Sequence, residues 1–253
     1  MKLVVTERYE EMSRRAADMI AETVRRKPEA CLCLAAGSSP VGTFRYMVED
    51  ARSGIVDYAG CRFIGLDEWV GLLPTDEGSC RKLLQDELFT KLSIADTNIH
   101  FFDGSADPAS ECARINRLVA RYGGLDLVLV GIGMNGHLGF NEPGVAFDLD
   151  AHVIELDETT RTVGQKYFTR PVVLERGITL GIRQILAADT VIMIANGAHK
   201  ADIVKRTWES EVTARIPSTA LKRHASSWMV VDREAAAALT ESDRQRGSEG
   251  NGR

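Results

Sequence analysis

The sequence predicts a doubly wound α/β fold: a single, mostly parallel sheet with helices on both faces, Rossmann-like in plan. Three observations predict it. Short apolar runs alternate along the chain with longer amphipathic stretches, the order that parallel βαβ units require. The runs at 31–35, 125–130 and 190–195 are apolar at nearly every position, as in strands buried on both faces. A glycine-rich loop directly follows the run at 125–130, at the carboxyl end of a strand, where open α/β sheets usually place their chemistry.

The 253 residues fit one large domain, taken as residues 1–239, followed by a polar, frayed tail at 240–253. Apolar residues make up 44% and charged residues 26%, ordinary values for a globular protein. The net charge of -5 argues against a nucleic-acid or membrane-surface partner. It leaves room for an anionic small molecule, since a few local cations suffice for one phosphate. The five cysteines are odd in number, and Cys31 and Cys33 alternate within an apolar run as small core residues. Their spacing does not match a zinc site, and no metal is expected. The N-terminal segment reads as neither signal peptide nor membrane span, so a cytoplasmic setting is expected. A homo-oligomer is compatible with the sequence.

The elements follow in order. Met12, Ala16, Ile20 and Val24 repeat at four-residue spacing and predict a helix over 9–26, ended by Lys27-Pro28. Residues 31–35 form a strand. Ser39 is a good N-cap and Pro40 suits a first helical position, so a helix is predicted from 41 to 50. A strand at 61–66 ends at Asp67-Glu68-Trp69, and Leu83, Leu84, Leu88 and Leu92 mark a helix over 79–91. A short strand at 99–102 and a helix at 108–122 lead to the strand at 125–130. Residues 145–176 lack a strong period; Val153-Ile154 is a candidate strand. The segment reads equally as a mobile lid or an ordinary surface excursion. Ile178, Ile182, Ile185 and Leu186 predict a helix over 177–188. A strand at 190–195, a helix reaching about Trp208 and a strand at 228–231 complete the domain.

Residues 131–144 read Gly-Ile-Gly-Met-Asn-Gly-His-Leu-Gly-Phe-Asn-Glu-Pro-Gly, five glycines and a proline in fourteen residues. His137, Glu142, Asn135 and Asn141 are interleaved with those glycines, more polar chemistry than a turn needs. Gly37-Ser38-Ser39-Pro40 offers backbone N–H groups and hydroxyls at a helix start, a natural phosphate cradle, although a plain capped helix would look the same. Asp67-Glu68 places two carboxylates at a strand end beside an aromatic, candidates for a general base or for solvated charge. Lys200, near another helix start, can balance a phosphate as a point charge. A phosphate cradle with Asp, His and Glu, and without a nucleophile elbow, fits proton transfer on a small sugar phosphate.

These blocks, with residues 177–181 and 196–201, resemble the glucosamine-6-phosphate deaminase/isomerase family, most closely its galactosamine-6-phosphate branch. The resemblance covers roughly residues 10–232, and its most specific block is His137-Leu138-Gly139-Phe140-Asn141-Glu142-Pro143-Gly144. It implies an aldose–ketose isomerisation with release of ammonia from a phosphorylated amino sugar, without a redox cofactor or catalytic metal. Asp67 is implied as the base moving a proton between C2 and C1, His137 as the ring-opening acid and base, and Glu142 as its orienting carboxylate. Gly37, Ser38, Ser39, Lys166 and Lys200 are implied phosphate contacts; Lys166 stands where the glucosamine branch carries arginine.

Asn135 departs from the glucosamine branch, which carries aspartate there. An amide can accept a hydrogen bond from an imidazole but cannot stabilise its cation as a full charge. Glu142 is then expected to give His137 its electrostatic support alone, and Asn135 to mark the galactosamine branch. Two rival readings remain: a 6-phosphogluconolactone hydrolase on the same fold, and a non-catalytic sugar-phosphate sensor. Ammonia release separates both from the deaminase.

Overall fold

In the computed structural model, which describes residues 1–249, the elements run β1 (Lys2–Thr6), α1 (Tyr9–Arg26), β2 (Cys31–Leu34), α2 (Val41–Arg52), β3 (Arg62–Gly65) and β4 (Asp67–Trp69). They continue with α3 (Cys80–Glu87), β5 (Ile99–His100), α4 (Pro108–Arg121), β6 (Leu127–Gly131), β7 (His152–Glu155) and α5 (Glu158–Gly164). The chain closes with β8 (Arg176–Thr179), α6 (Ile182–Leu186), β9 (Thr190–Ala195), α7 (Ala201–Glu209), β10 (Ser227–Asp232) and α8 (Glu241–Glu249).

Seven strands form one sheet in the order β1-β10-β9-β6-β2-β3-β5. Every neighbouring pair in it is parallel. Alternate side chains point to opposite faces, so each buried strand feeds two cores. On β2 and β6, Cys31, Cys33, Val128 and Val130 join one core with Ile115 of α4 and Ile203 of α7. Leu32, Leu34, Leu127 and Leu129 join the other, with Met12 and Ile20 of α1 and Phe44 and Met47 of α2. Helices therefore cover both faces, as the doubly wound reading expects. β2 leads outward to β3, whereas β6 leads the other way to β9, so the strand order reverses between β2 and β6. Loops leaving those two strands splay apart there and leave a crevice.

Several elements differ from expectation. The opening strand β1 escaped notice because Lys2 and Thr6 bracket only three apolar residues; it pairs with β10 at the sheet edge. The strand expected over 61–66 stops at Gly65. The next residues leave the sheet as β4, which joins an antiparallel three-stranded sheet in the order β4-β8-β7. Residues 176–179 are accordingly strand, and only Ile182–Leu186 is helical. Ile178, Ile182 and Ile185 fit helical spacing by coincidence, while β-branched Ile178 and Thr179 suit a strand. Ser39 does not cap α2: the cap position is Pro40, without a side-chain cap bond. The segment 145–176 holds β7, candidate strand included, and α5.

The tail expected from 240 is helical over 241–249 as α8, and 250–253 lie outside the described residues. Gly247 seats the helix on β1, where a Cβ would come within 2.7 Å of Val5 Cγ2. Glycine carries no hydropathy signature, which is why this face was silent in the sequence. No described helix is long and apolar enough to cross a membrane.

Candidate active site

The crevice between β2 and β6 is lined by Gly37, Ser38, Ser39, Asp67, His137, Lys166 and Lys200, seven of the nine expected site residues. Glu142 and Asn135 stand behind His137 and hold it. The apolar floor is Trp69 against Phe140, with ring centroids 4.5 Å apart.

His137 is delivered by the loop after β6. Gly133 is obligatory there, since a Cβ would lie 2.2 Å from His137 Nε2. A backbone bond from Gly133 N–H to the His137 carbonyl at 3.0 Å closes the loop. His137 Nδ1 lies 3.2 Å from Glu142 Oε2 and 3.0 Å from Thr160 Oγ1. A carboxylate can only accept, so Nδ1 carries the hydrogen in this network, and Nε2 is left to exchange a proton in the crevice. Glu142 is buried at 3% exposure. Burial alone would raise its carboxyl. The hydrogen bond and charge of His137, then Thr160 and Asn135, outweigh that and hold it below the usual range.

Asn135 is the junction behind this pair. Its Nδ2 donates to Glu142 Oε2 at 2.7 Å and lies 3.3 Å from Asp157 Oδ1. Glu142 is therefore not the sole carboxylate behind the imidazole, as the sequence led us to expect. Asp157 and Thr160 were missed because they lie in the segment without a period. The only signal was Asp157-Glu158-Thr159-Thr160 as a helix start.

Asp67 and Glu68 have separate roles. Glu68 is 2% exposed and accepts four hydrogen bonds: from Trp69 N and Cys80 N at Oε1, and from Ser79 Oγ and Arg81 N at Oε2. Two of those donors are backbone N–H groups in the first turn of α3, so Glu68 secures the helix start. Asp67 faces the crevice. Burial, then the charge of Glu68, pushes its carboxyl up to about 7, against a hydrogen bond with the Cys80 thiol that lowers it. Burial raises the Glu68 carboxyl too, but its four donors oppose that rise, whereas Asp67 has only the Cys80 thiol against its own burial. A carboxylate poised near neutrality is suited to general-base work.

The side of the crevice expected to hold the phosphate is built on the loop after β2. Gly37 has φ +124°, a conformation open to glycine, and Tyr167 leans over it from the segment after α5. Ser39 Oγ is engaged, donating to Asn196 Oδ1 at 2.7 Å. Tyr9, which the sequence did not flag, pins the loop. Its hydroxyl accepts the Gly42 N–H at 2.7 Å and lies 3.1 Å from the Ser39 carbonyl, to which it donates. Lys200 Nζ donates to the Ile132 carbonyl at 2.6 Å. Burial first, then the charge of Lys166, pushes its ammonium down to about 8. The half-buried Lys200 and the exposed Lys166 both line the crevice, an arrangement that favours a multiply charged anion.

Fold and crevice together define a doubly wound α/β protein with a polar crevice at the strand-order reversal, and comparison with known proteins gives the family. The model of the family described as glucosamine-6-phosphate isomerases/6-phosphogluconolactonase matches residues 5–230, and the chain belongs to that family. A glucosamine-6-phosphate deaminase of Geobacillus sp. (strain WCH70) is 36% identical over 97% of this chain and 98% of its own length. One from Lachnoclostridium phytofermentans is 38% identical over 88% of this chain and 96% of its own. A solved structure of a monomeric glucosamine-6-phosphate deaminase superposes with a TM-score of 0.91 at 34% identity, covering 94% of this chain and all of that one. A 6-phosphogluconolactonase of Thermotoga maritima shares the fold with a TM-score of 0.73 at 18% identity, covering 92% of this chain and 99% of its own. The deaminase relatives carry the glucosamine name, so the galactosamine branch expected from Asn135 finds no support in them.

Proposed function

We propose that this chain isomerises and deaminates an amino-sugar 6-phosphate, with glucosamine 6-phosphate, the substrate its relatives are named for, as the first candidate. One observation carries the reading. A half-buried carboxylate, Asp67, and a carboxylate-backed imidazole, His137, share one crevice with Ser38, Ser39, Lys166 and Lys200.

The chemistry follows from what each group can do. The phosphate is held by the loop amides at 37–39 with Lys166 and Lys200, which fixes the sugar at one end. His137 Nε2 gives a proton to the ring oxygen as the C1–O5 bond breaks, and the C1 hydroxyl gives up its own proton, so the ring opens to the aldehyde with no net change in protons. Asp67 then takes the C2 proton, made acidic by the new carbonyl, and the resulting enolamine is reprotonated at C1. C2 is left at the imine level. One water adds to C2 and ammonia leaves, so that amino sugar and water become ketose phosphate and ammonia. The Trp69–Phe140 floor gives the carbon skeleton an apolar surface. In this reading Gly37, Ser38, Ser39, Lys166, Lys200, Asp67, His137 and Glu142 take the roles that the resemblance implies, while Asn135 ties Glu142 to Asp157 rather than marking a substrate branch.

The test is initial-rate ammonia release from glucosamine 6-phosphate and galactosamine 6-phosphate, beside acid release from 6-phosphogluconolactone. We expect ammonia from the glucosamine substrate at the higher kcat/KM and no lactone hydrolysis above background. Acid release without ammonia would overturn the reading in favour of the lactonase. Binding of both sugars without any turnover would make the chain a sensor.

A further inference from the structure

The corner behind His137 holds more than the proposed reaction asks of it. Asn135 Nδ2 lies 2.7 Å from Glu142 Oε2, 3.3 Å from Asp157 Oδ1 and 3.5 Å from Thr160 Oγ1. Its Oδ1 accepts the His137 backbone N–H at 3.2 Å. Turning the amide over would aim Oδ1 at two carboxylates and the NH2 at a backbone N–H, so these partners fix its orientation. Its two amide hydrogens therefore bridge carboxylates from different elements. Glu142 belongs to the loop after β6, and Asp157 is the cap of α5. Thr160, in the first turn of that helix, closes the ring on His137 Nδ1.

We infer that Asp157 is a positioning residue that acts through Asn135, supplying from the start of α5 a second negative charge in support of the protonated His137. The inference rests on reading His137 as the acid and base of the proposed reaction. An aspartate at 135 would put a third carboxylate at this corner and remove the amide that ties Glu142 to Asp157. An asparagine lets one of those charges sit at 157 and ties it in by a hydrogen bond. The other charged groups around His137 are accounted for. Glu142 is on its own loop, Asp67 on β4 lines the same crevice, and Lys166 and Lys200 form the phosphate wall. Glu158 and Arg161 of α5 are exposed. Asp157 is also exposed, so its charge acts partly through solvent and its effect is moderate. The coupling runs both ways, since the charge of His137 is among the influences holding the Asp157 carboxyl below its usual range, after the larger ones from Thr159 and Asn135.

Asp157 also accepts the Thr159 N–H at 2.9 Å as the α5 cap. Asparagine caps as well as aspartate, so Asp157→Asn removes the charge and keeps the cap. The experiment is an NMR titration of the histidine ring signals in the full chain, with His137 assigned by its loss in His137→Gln. Asp157→Asn is expected to move the His137 midpoint down by about half a pH unit. Asn135→Asp is expected to move it up, and the double variant to return close to wild type, because the charge has been moved rather than added. If Asp157 is only a cap, Asp157→Asn titrates with wild type and the double variant titrates with Asn135→Asp, which overturns the inference. Should Asn135→Asp fail to fold, Asp157→Asn decides alone. Wild-type ammonia release, recorded in parallel, separates the two readings. Shifts without ammonia sink the deaminase and leave the charge support standing; ammonia with unmoved midpoints does the reverse.

Discussion

At the scale of single residues, the site works by giving neighbouring groups unlike surroundings. Asp67 and Glu68 are adjacent carboxylates, yet four donors converge on Glu68 while Asp67 has the Cys80 thiol. The proton therefore belongs to Asp67 until about pH 7, and the free enzyme gains its base above that. Lys200 loses its charge above about 8, and with it part of the phosphate affinity. The expected kcat/KM profile is a narrow bell, rising through about 7 and falling above about 8. A profile flat from pH 6 to 9 would contradict both assignments. The same shift has a stability sign. Asp67 holds its proton in the folded state up to about 7 but releases it near 3.8 when unfolded, so between those values unfolding releases a proton and stability falls as pH rises. Above about 7 the full cost is present. Asp67→Asn should then lower kcat by about 10²- to 10⁴-fold. It should also raise Tm at pH 8 while leaving it unchanged near pH 3, as thermal melts at the two pH values would read.

At the scale of elements, loops hold the chemistry and helices hold the loops. Tyr9, the first residue of α1, joins the phosphate loop to α2 by taking the Gly42 N–H and giving its own hydrogen to the loop carbonyls. Tyr9→Phe should raise KM for the sugar phosphate roughly three- to tenfold with kcat little changed, about one hydrogen bond's worth. A fall in kcat at constant KM would show that the loop does not depend on this anchor. What the sequence disclosed at this scale depended on how chemistry and pattern coincided. The residues of 131–144 stood out because glycines and polar side chains share one short stretch, and Asp67 because it ends an apolar run; what the structure adds is that His137 and Asp67 line one crevice. Asp157, Thr160 and Tyr9 did not stand out, since each reaches the site across the fold and its neighbours in sequence say nothing of that. β8 was mistaken for helix because strand and helix spacing coincide over Ile178 and Ile182, and the antiparallel partner that decides the matter, β4, is over a hundred residues away.

At the scale of the whole molecule, the parallel sheet was legible from its doubly buried strands, and its reversal between β2 and β6 explains why distant blocks meet. The second sheet was not legible, because a chain that leaves one sheet for another keeps the same local alternation. Nor was α8, which packs on the edge strand β1 through Gly247. Ending the chain at Leu239 should uncover Leu3 and Val5 and lower Tm by about 2–6 °C, with kcat unchanged. An unchanged melt would show that the helix contributes nothing to the edge. The central claim is that one crevice couples phosphate capture to proton transfer at C2 by Asp67. Its most direct test is ammonia release from glucosamine 6-phosphate by wild type and Asp67→Asn, with substrate binding measured on both. The account predicts steady release by wild type, and near-background release by a variant that still binds the sugar phosphate. Comparable release by the two proteins, or none from wild type, would contradict it.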